Sequence, residues 1–249
     1  MTDAEKTPEQ QRLSEAALAY AREHKKRIGK ERTDPAIFTP EEQPVSVFMA
    51  GSPGAGKTEA SKELIANIEE RSPGSRVLRI DPDELRCLLP GYDGSNSWLF
   101  QGAVSTLVDK ILDLAYKQKQ SFLLDGTLAD VGRARTNIER ALRKERAVQI
   151  LYVYQDPMLA WEFVQARELE EGRRIPPERF IEQYFAARDV VNQLKGDFGS
   201  RIAVDLLVKP HSMGERIYRA GIDQIDYHVP EKYTRDQLRE RLGLTSGAS

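Results

Sequence analysis

Residues 45–58 read VSVFMAGSPGAGKT. The first six letters are a β-rich apolar run that stops at a glycine-rich turn, and apolar residues follow at helical spacing over 58–70. The turn, Gly51 to Thr58, matches the pattern G-x-x-x-x-G-K-[ST] in the strand-to-helix context that supports a phosphate-binding loop. At ordinary glycine usage, a chance match in a chain of this length is on the order of one in a hundred. The stretch therefore predicts a P-loop, with a plain glycine turn as the weaker alternative.

The P-loop would bind a nucleotide through its backbone and two side chains. Glycines let amide groups turn inward around an anion, and the following helix adds the positive end of its dipole. We expect Lys57 to reach the β and γ phosphates and the Thr58 hydroxyl to ligate Mg²⁺. No N/T-K-x-D guanine-reading motif follows a later strand, which favours ATP over GTP. The expected nucleotide-binding residues are Gly51, Ser52, Pro53, Gly54, Ala55, Gly56, Lys57 and Thr58.

The rest of the chain repeats the alternation of strand and helix. Helical periodicity separates near-continuous apolar strands, which are expected at 77–80, 121–124, 148–154 and 202–208. This pattern predicts an α/β fold of the P-loop NTPase-like, doubly wound type, with a mainly parallel sheet and helices on both faces. Residues 9–30 add an amphipathic N-terminal helix, and the prolines and acids of 33–44 indicate a linker.

The composition excludes several classes of protein. The 249 residues carry 37 Lys and Arg against 39 Asp and Glu, which gives no overall field toward nucleic acid or an anionic membrane. The single Cys87 cannot form an internal disulfide, and the three histidines lie far apart without ligand spacing. The first residues lack a leader pattern and no apolar run approaches 18 residues, so we expect a cytoplasmic protein without a membrane partner. A basic and aromatic track is also missing, so no nucleic acid partner is expected.

Polar clusters follow the second and third strands, where a doubly wound sheet binds its ligands. A carboxylate that accepts a proton and orients a hydroxyl assists phosphoryl transfer, and either Asp81 or Asp83 could do this. Helix capping is the alternative for each aspartate, although both cannot serve only as the N-cap. The clusters predict phosphorylation of a small molecule, and the candidate substrate contacts are Asp81, Arg86, Asp125 and Thr127.

Two further features suit the same reaction. Asp125 ends a hydrophobic strand, so we expect it to hold Mg²⁺ through water or to bind substrate, with an Asx turn through Gly126 as the alternative. The segment 167–179 contains a glycine and several arginines between two predicted helices, which is typical of a kinase lid. Arg167 and Arg174 are its candidate phosphate contacts, and an exposed charged helix end is the alternative interpretation.

In this order, the motifs resemble the zeta toxin family, P-loop kinases of bacterial toxin–antitoxin systems. The resemblance spans about 45–208. It rests on five features, which are the P-loop, the aspartates at 81 and 83, Pro90-Gly91-Tyr92, Asp125-Gly126-Thr127 and the arginines of 167–176. We therefore divide the chain into an N-terminal helix and linker at 1–44, a P-loop kinase domain at 45–210 and a C-terminal extension at 211–249.

The resemblance implies an activity and a role for each motif. The chain would use ATP and Mg²⁺ to phosphorylate the 3′-hydroxyl of the sugar in UDP-N-acetylglucosamine. Asp83 would be the base, and the other implied contacts are Lys57 and Thr58 for phosphate and metal, Arg167 and Arg174 in the lid, and Asp125 and Thr127 for substrate. Two departures concern the acceptor, because Asp125 replaces the commoner Glu and residues 128–130 lack the basic side chain of some members.

Other functions stay open at this point. The acceptor could instead be another nucleotide, another nucleotide-sugar or an antibiotic, or the chain could be an ATP-dependent switch that transfers no phosphate. For the N-terminal helix, completion of the core is favoured over restraint of the nucleotide site or binding of an antitoxin. A protein antitoxin is the partner that the resemblance implies.

Overall fold

A six-stranded sheet forms the centre of the computed structural model, which describes residues 6–72, 74–172, 175–209, 215–229 and 233–244. The strands are β1 (Val45–Ala50), β2 (Leu78–Ile80), β3 (Phe122–Leu124), β4 (Ala147–Tyr154), β5 (Ala203–Val208) and β6 (Ile217–Arg219). Their spatial order is β2-β3-β1-β4-β5-β6, in which β6 alone runs antiparallel to its neighbour. This arrangement confirms the expected doubly wound, mainly parallel sheet.

Helices flank the sheet, and several begin at a recognisable signal. They are α1 (Pro8–Arg32), α2 (Lys57–Arg71), α3 (Pro82–Arg86), α4 (Gln101–Lys117), α5 (Val131–Leu142), α6 (Pro157–Glu171), α7 (Pro177–Phe198) and α8 (Arg235–Arg241). Thr7 and Gln10 form a capping box at the start of α1, and α6 begins with Pro157 where no amide hydrogen is needed. None of the helices in the described ranges has the length and apolar character that a membrane span requires.

The two faces of the sheet pack into separate apolar clusters. Along β1, Phe48 and Ala50 belong to the larger cluster, while Val47 and Met49 belong to the smaller cluster, which α2 helps to cover. Successive side chains of a strand point to opposite faces, so four buried residues in a row require cover on both sides. This explains why β1 is a continuous apolar run in the sequence.

The N-terminal helix α1 contributes to the larger cluster. Its buried Ala21 belongs to that cluster, and a Cβ at Gly29 would lie 2.9 Å from Leu114 Cδ1 of α4, so the two helices pack at close range. Ser14 Oγ also donates a hydrogen bond to the Leu99 carbonyl at 2.8 Å. These contacts support the alternative in which α1 completes the core.

The segment 33–44 and the strand β6 are both held to the central sheet, although their composition does not indicate it. Gln120 Nε2 donates to the carbonyls of Thr33 at 3.0 Å and Phe38 at 2.7 Å, which holds the segment 33–44 at the amino ends of the strands. Beyond β5, the three exposed residues of β6 pair with β5. Sequence patterning did not predict β6, because its pairing partner rather than its own polarity makes it a strand.

Candidate active site

The loop at 51–56 follows β1 directly and leads into α2, as its motif predicts. Gly54 and Gly56 have positive φ angles of 73° and 75°. A Cβ at Gly54 would lie 2.0 Å from the Ala160 carbonyl oxygen in α6, so only glycine fits at that position. Gly56 is the N-cap of α2, and no side chain of the described residues caps that helix. The first amide groups of α2 therefore suit a bound phosphate.

Two lysine ammonium groups lie against this loop. Lys57 Nζ donates to the carbonyls of Gly51 at 3.0 Å and Ser52 at 2.6 Å, which places its charge beside the loop. Lys209, which follows β5, donates from Nζ to the Gly56 carbonyl at 2.9 Å. Burial lowers the pKa of Lys209. Sequence reasoning missed this lysine, because only the order of the strands brings the end of β5 to the P-loop.

Strand order also brings the two acidic clusters to the same edge of the sheet. β3 lies between β2 and β1, so the residues that follow these three strands are neighbours. The Asp125 amide donates to the Ile80 carbonyl at 2.9 Å, and the Gly51 amide donates to the Thr127 carbonyl at 3.3 Å. The structure thus places both predicted acidic clusters and Thr127 beside the P-loop.

The centre of this edge is Arg79 of β2, a residue that sequence reasoning did not select. Its side chain is 13% exposed, and Nη2 donates to Asp81 Oδ2 and Asp125 Oδ2, both at 2.6 Å. Nη1 donates to Glu84 Oε1 at 2.6 Å, and Nε donates to Ser61 Oγ at 3.1 Å. Burial lowers the pKa of Arg79, but the hydrogen bond to Asp125 and the nearby carboxylate charges together raise it by more. One guanidinium therefore joins three carboxylates and α2.

The short helix α3 separates the roles of the two aspartates after β2. Asp81 is its N-cap, because Oδ1 accepts from the Asp83 amide at 2.8 Å, and burial raises the pKa of the Asp81 carboxyl. The Asp83 side chain is 40% exposed and pairs with Arg86, which is buried. The capping alternative therefore describes Asp81, and Asp83 is the more exposed carboxylate at this strand end.

The expected lid begins in α6, whose first turn packs on the P-loop. Gly172 follows this helix with a φ of 71°. A Cβ at Gly172 would lie 3.8 Å from the Ser95 amide nitrogen, so the end of α6 approaches the loop before α4. Arg167 is exposed on α6, whereas Arg174 lies outside the described residues. The structure thus places Arg167 on α6 and leaves Arg174 as a sequence-based prediction.

The donor set beside the P-loop fits Mg²⁺. Ser61 Oγ contacts both the Thr58 carbonyl and Asp125 Oδ2 at 2.9 Å, so the first turn of α2 and the acid after β3 are adjacent. Mg²⁺ in nucleotide sites keeps several waters and uses one or two protein oxygens together with phosphates. In the part of the chain that the structure describes, no three His, Cys, Asp or Glu side chains form a resident metal site. By the P-loop motif, the Thr58 hydroxyl together with phosphate oxygens would hold the ion.

The fold, together with the residues at the carboxyl ends of its strands, defines the class of protein. It is a P-loop nucleotide-binding α/β protein with carboxylates beside the phosphate loop. A family model described as Zeta toxin matches residues 28–223. Because this match covers most of the chain, the chain belongs to the zeta toxin family. The resemblance drawn from the motifs is confirmed, and the chain is a kinase-type phosphotransferase of the toxin–antitoxin class.

Solved structures share this fold at low sequence identity. A chain from the PezAT chromosomal toxin–antitoxin system of Streptococcus pneumoniae has a TM-score of 0.63 and 15% identity, over 92% of this chain and 88% of that one. A chain of the AvrRxo1-ORF1:-ORF2 complex with ATP has a TM-score of 0.54 and 20% identity, over 85% and 67%. A comparison with curated proteins finds no match. At these identities the solved structures support the fold alone.

Proposed function

We propose that the chain transfers the γ-phosphate of ATP to the 3′-hydroxyl of the sugar in UDP-N-acetylglucosamine. The observation that carries this proposal is the position of Asp83, on a helix that is capped by Asp81 at the same sheet edge as the P-loop. That placement supplies a carboxylate for the acceptor hydroxyl next to a cradle for phosphates. The choice of acceptor rests on the resemblance to the family.

Asp83 is the general base in this mechanism. Its carboxylate accepts the proton of the acceptor hydroxyl while that oxygen attacks the γ-phosphorus, and ADP leaves as the bond to the bridging oxygen breaks. The ion pair with buried Arg86 holds the Asp83 carboxylate in one orientation. Lys57 would contact the β and γ phosphates. Mg²⁺ held by Thr58 would add positive charge beside the transferring group.

The remaining roles in the proposed reaction are contact with the acceptor and closure of the lid. Thr127 offers a hydroxyl, and Asp81 and Asp125 offer carboxylates, at the edge where the acceptor would lie. Arg167 and Arg174 would meet the phosphates when the lid closes, which neutralises charge and excludes water.

One observation favours a second acceptor. Asp125 is one methylene shorter than the Glu that the family commonly has, its side chain is 5% exposed, and Oδ2 contacts Arg79 and Ser61. These contacts draw the carboxylate toward α2 and β2, which weakens any contact that the family makes from this acid to the sugar. A different nucleotide-sugar is therefore the alternative acceptor.

A protein antitoxin is the proposed partner. The proposal is supported by membership of the zeta toxin family and by the fold shared with chains of the PezAT system and the AvrRxo1-ORF1:-ORF2 complex. Co-purification of the tagged chain with the product of a neighbouring gene, followed by an activity assay, tests it. The proposal requires a bound protein that lowers phosphate transfer.

The test of the activity uses the purified chain, ATP, Mg²⁺ and a panel of UDP-sugars, with products identified by mass spectrometry. Asp83→Asn is compared with Asp236→Asn, which changes an exposed carboxylate on α8. A phosphate gained by UDP-N-acetylglucosamine, lost in D83N and kept in D236N, supports both acceptor and base. A phosphate on another sugar nucleotide keeps the kinase and replaces the acceptor. If ATP binds and nothing is phosphorylated, the ATP-dependent switch becomes the better account.

A further inference from the structure

Arg79 is a charged group at the centre of the candidate site, and the proposed mechanism gives it no part. It occupies the middle of β2 between the buried residues Leu78 and Ile80. A charged side chain in such a position requires compensation, because burial of an unpaired guanidinium is costly. The compensation at Arg79 comes from three separate elements rather than from one partner.

The contacts of Arg79 form a continuous path across the site. From α2, Ser61 contacts the Thr58 carbonyl at 2.9 Å and accepts from Arg79 Nε at 3.1 Å. From Nη2 the path divides to Asp125 after β3 and Asp81 before α3, each at 2.6 Å. Asp81 then accepts from the backbone amide of Asp83 at 2.8 Å. The path therefore runs from the candidate magnesium ligand to the candidate base.

The geometry of a guanidinium suits this task better than an ammonium group would. Its donors project in a planar, fixed fork, so several acceptors are held at set angles to one another. Here Nε, Nη1 and Nη2 each contact a different element or strand end. Phosphoryl transfer depends mainly on the alignment of the attacking oxygen with the leaving group.

We propose that Arg79 is a positioning residue for phosphate transfer, which fixes α2, Asp125 and the start of α3 relative to one another. It acts through these groups and need not contact either substrate. The inference rests on the proposed function for its kinetic consequence, whereas the local order that it predicts can be measured without any acceptor.

The kinetic test compares Arg79→Met with Arg76→Met, which removes an arginine that is 62% exposed and pairs only with Glu69 among the described residues. Loss of a residue that orients catalytic groups typically costs about 10-fold to 100-fold in activity, and we expect kcat of R79M to fall in that range. The KM for ATP should change much less than kcat, because the loop glycines and the contacts of Lys57 with the loop do not involve Arg79. R76M should retain the kcat of the unmodified chain.

Two further variants separate positioning from a purely structural role. Arg79→Lys keeps the charge without the planar fork, so it should fold as the unmodified chain does and recover only part of kcat. In the background of Asp125→Asn, R79M should cost much less than it does alone, because both changes interrupt one path. Full activity in folded R79M or R79K, or independent and multiplicative effects of R79M and D125N, would overturn the proposal.

Hydrogen–deuterium exchange separates failure of this inference from failure of the proposed function. R79M should increase amide exchange over residues 81–87 and 125–127, and R76M should not. Unchanged exchange in both segments would overturn the inference, even for a chain that phosphorylates no acceptor. Increased exchange in a chain without transfer activity would keep the positioning role of Arg79 and reject the proposed reaction.

Discussion

Arg79, whose side chain is largely shielded from solvent, and the buried Arg146 lie at opposite ends of the central sheet, and their surroundings differ in kind. Arg79 lies at the carboxyl ends of the strands among three carboxylates. Arg146 lies at the amino ends, where Nε donates to Ser46 Oγ at 2.7 Å and Nη2 donates to the carbonyls of Val45 at 3.0 Å and Gln120 at 2.6 Å. The hydrogen-bond acceptors that hold Arg146 are thus neutral, whereas three of the four side chains that hold Arg79 are acids.

The pKa values of the two side chains follow the same division. Burial lowers the pKa of Arg146, whose guanidinium also packs over the rings of Tyr116 at 5.4 Å and Phe122 at 5.1 Å. At Arg79 burial acts in the same direction, but the hydrogen bond to Asp125 and the carboxylate charges raise the pKa overall. At the amino end of the sheet, Arg146 joins backbone carbonyls and aromatic rings. At the carboxyl end, Arg79 holds acidic side chains in place beside the phosphate loop.

The largest expected effect comes from distortion of the phosphate loop at the carboxyl end of the sheet. Gly54→Ala places a methyl group 2.0 Å from the Ala160 carbonyl oxygen. The φ of 73° adds about 1–3 kcal/mol of strain for a residue with a side chain. We expect isothermal titration calorimetry to show loss of ATP binding. Gly196→Ala in α7 is the control, since nothing described lies within 4 Å of its new methyl group. Equal ATP affinity in the two variants would contradict the geometry.

The next largest effect concerns the candidate base at the same end. Asp83→Asn removes the proton acceptor and leaves Arg86 in place. Because general base catalysis contributes about 10²-fold to 10⁴-fold, kcat should fall within that range while the KM for ATP is unchanged. Steady-state kinetics of the purified chain measure both constants. A kcat equal to that of the unmodified chain would remove Asp83 from the chemistry.

At the amino end, Arg146→Met should affect stability and leave the reaction unchanged. It leaves three oxygen acceptors without this donor, and each orphaned buried polar group costs about 1–3 kcal/mol. We expect the free energy of unfolding in urea to fall by at least about 2 kcal/mol. The kcat of the folded fraction, measured well below the melting temperature, should not change. A lower kcat with an unchanged free energy of unfolding would contradict the assignment of Arg146 to stability alone.

The smallest effect concerns the acid that caps α3. Burial raises the pKa of Asp81 above its ordinary value of 3.8, so the folded state binds this proton more readily than the unfolded state. The resulting stability is complete below the unfolded pKa and is lost as pH rises through the folded pKa. Asp81→Asn keeps a capping side chain and removes the titration. The stability of the unmodified chain relative to D81N should therefore decrease between about pH 4 and about pH 7. Urea unfolding at both pH values checks this, and a constant difference would contradict the pKa shift.

The sequence was sufficient for most of the fold, because its signals are local. The central strands are continuous apolar runs, and the helices between them show regular spacing, so their existence follows from burial on both faces of a parallel sheet. β6 was missed because its three residues are exposed and only pairing with β5 defines them. The segment 33–44 reads as a linker from its prolines, but Gln120 holds it from 82 residues or more away in the chain.

In the candidate site, too, residues that belong to local motifs could be predicted, and residues that meet only through the tertiary fold could not. The P-loop and the aspartates that follow β2 and β3 carry local motifs, and the order of the strands then brings them together. Arg79 has no motif, and 46 residues separate it from Asp125. The one available signal was a charged residue inside a short apolar strand, which indicates a buried pair without identifying its partner. Lys209 was missed for the same reason.

The most direct test of the central claim, that phosphate transfer takes place at the carboxyl end of the sheet, is ³¹P NMR of the reaction product. The chain is incubated with ATP, Mg²⁺ and UDP-N-acetylglucosamine, and D83N is treated in parallel. The proposed function predicts a new phosphomonoester signal coupled to the proton at position 3 of the sugar, strong with the unmodified chain and, after the same incubation time, at least about 10²-fold weaker with D83N. Coupling to another position, an equal signal with D83N, or no new phosphomonoester from a chain that binds ATP would contradict it.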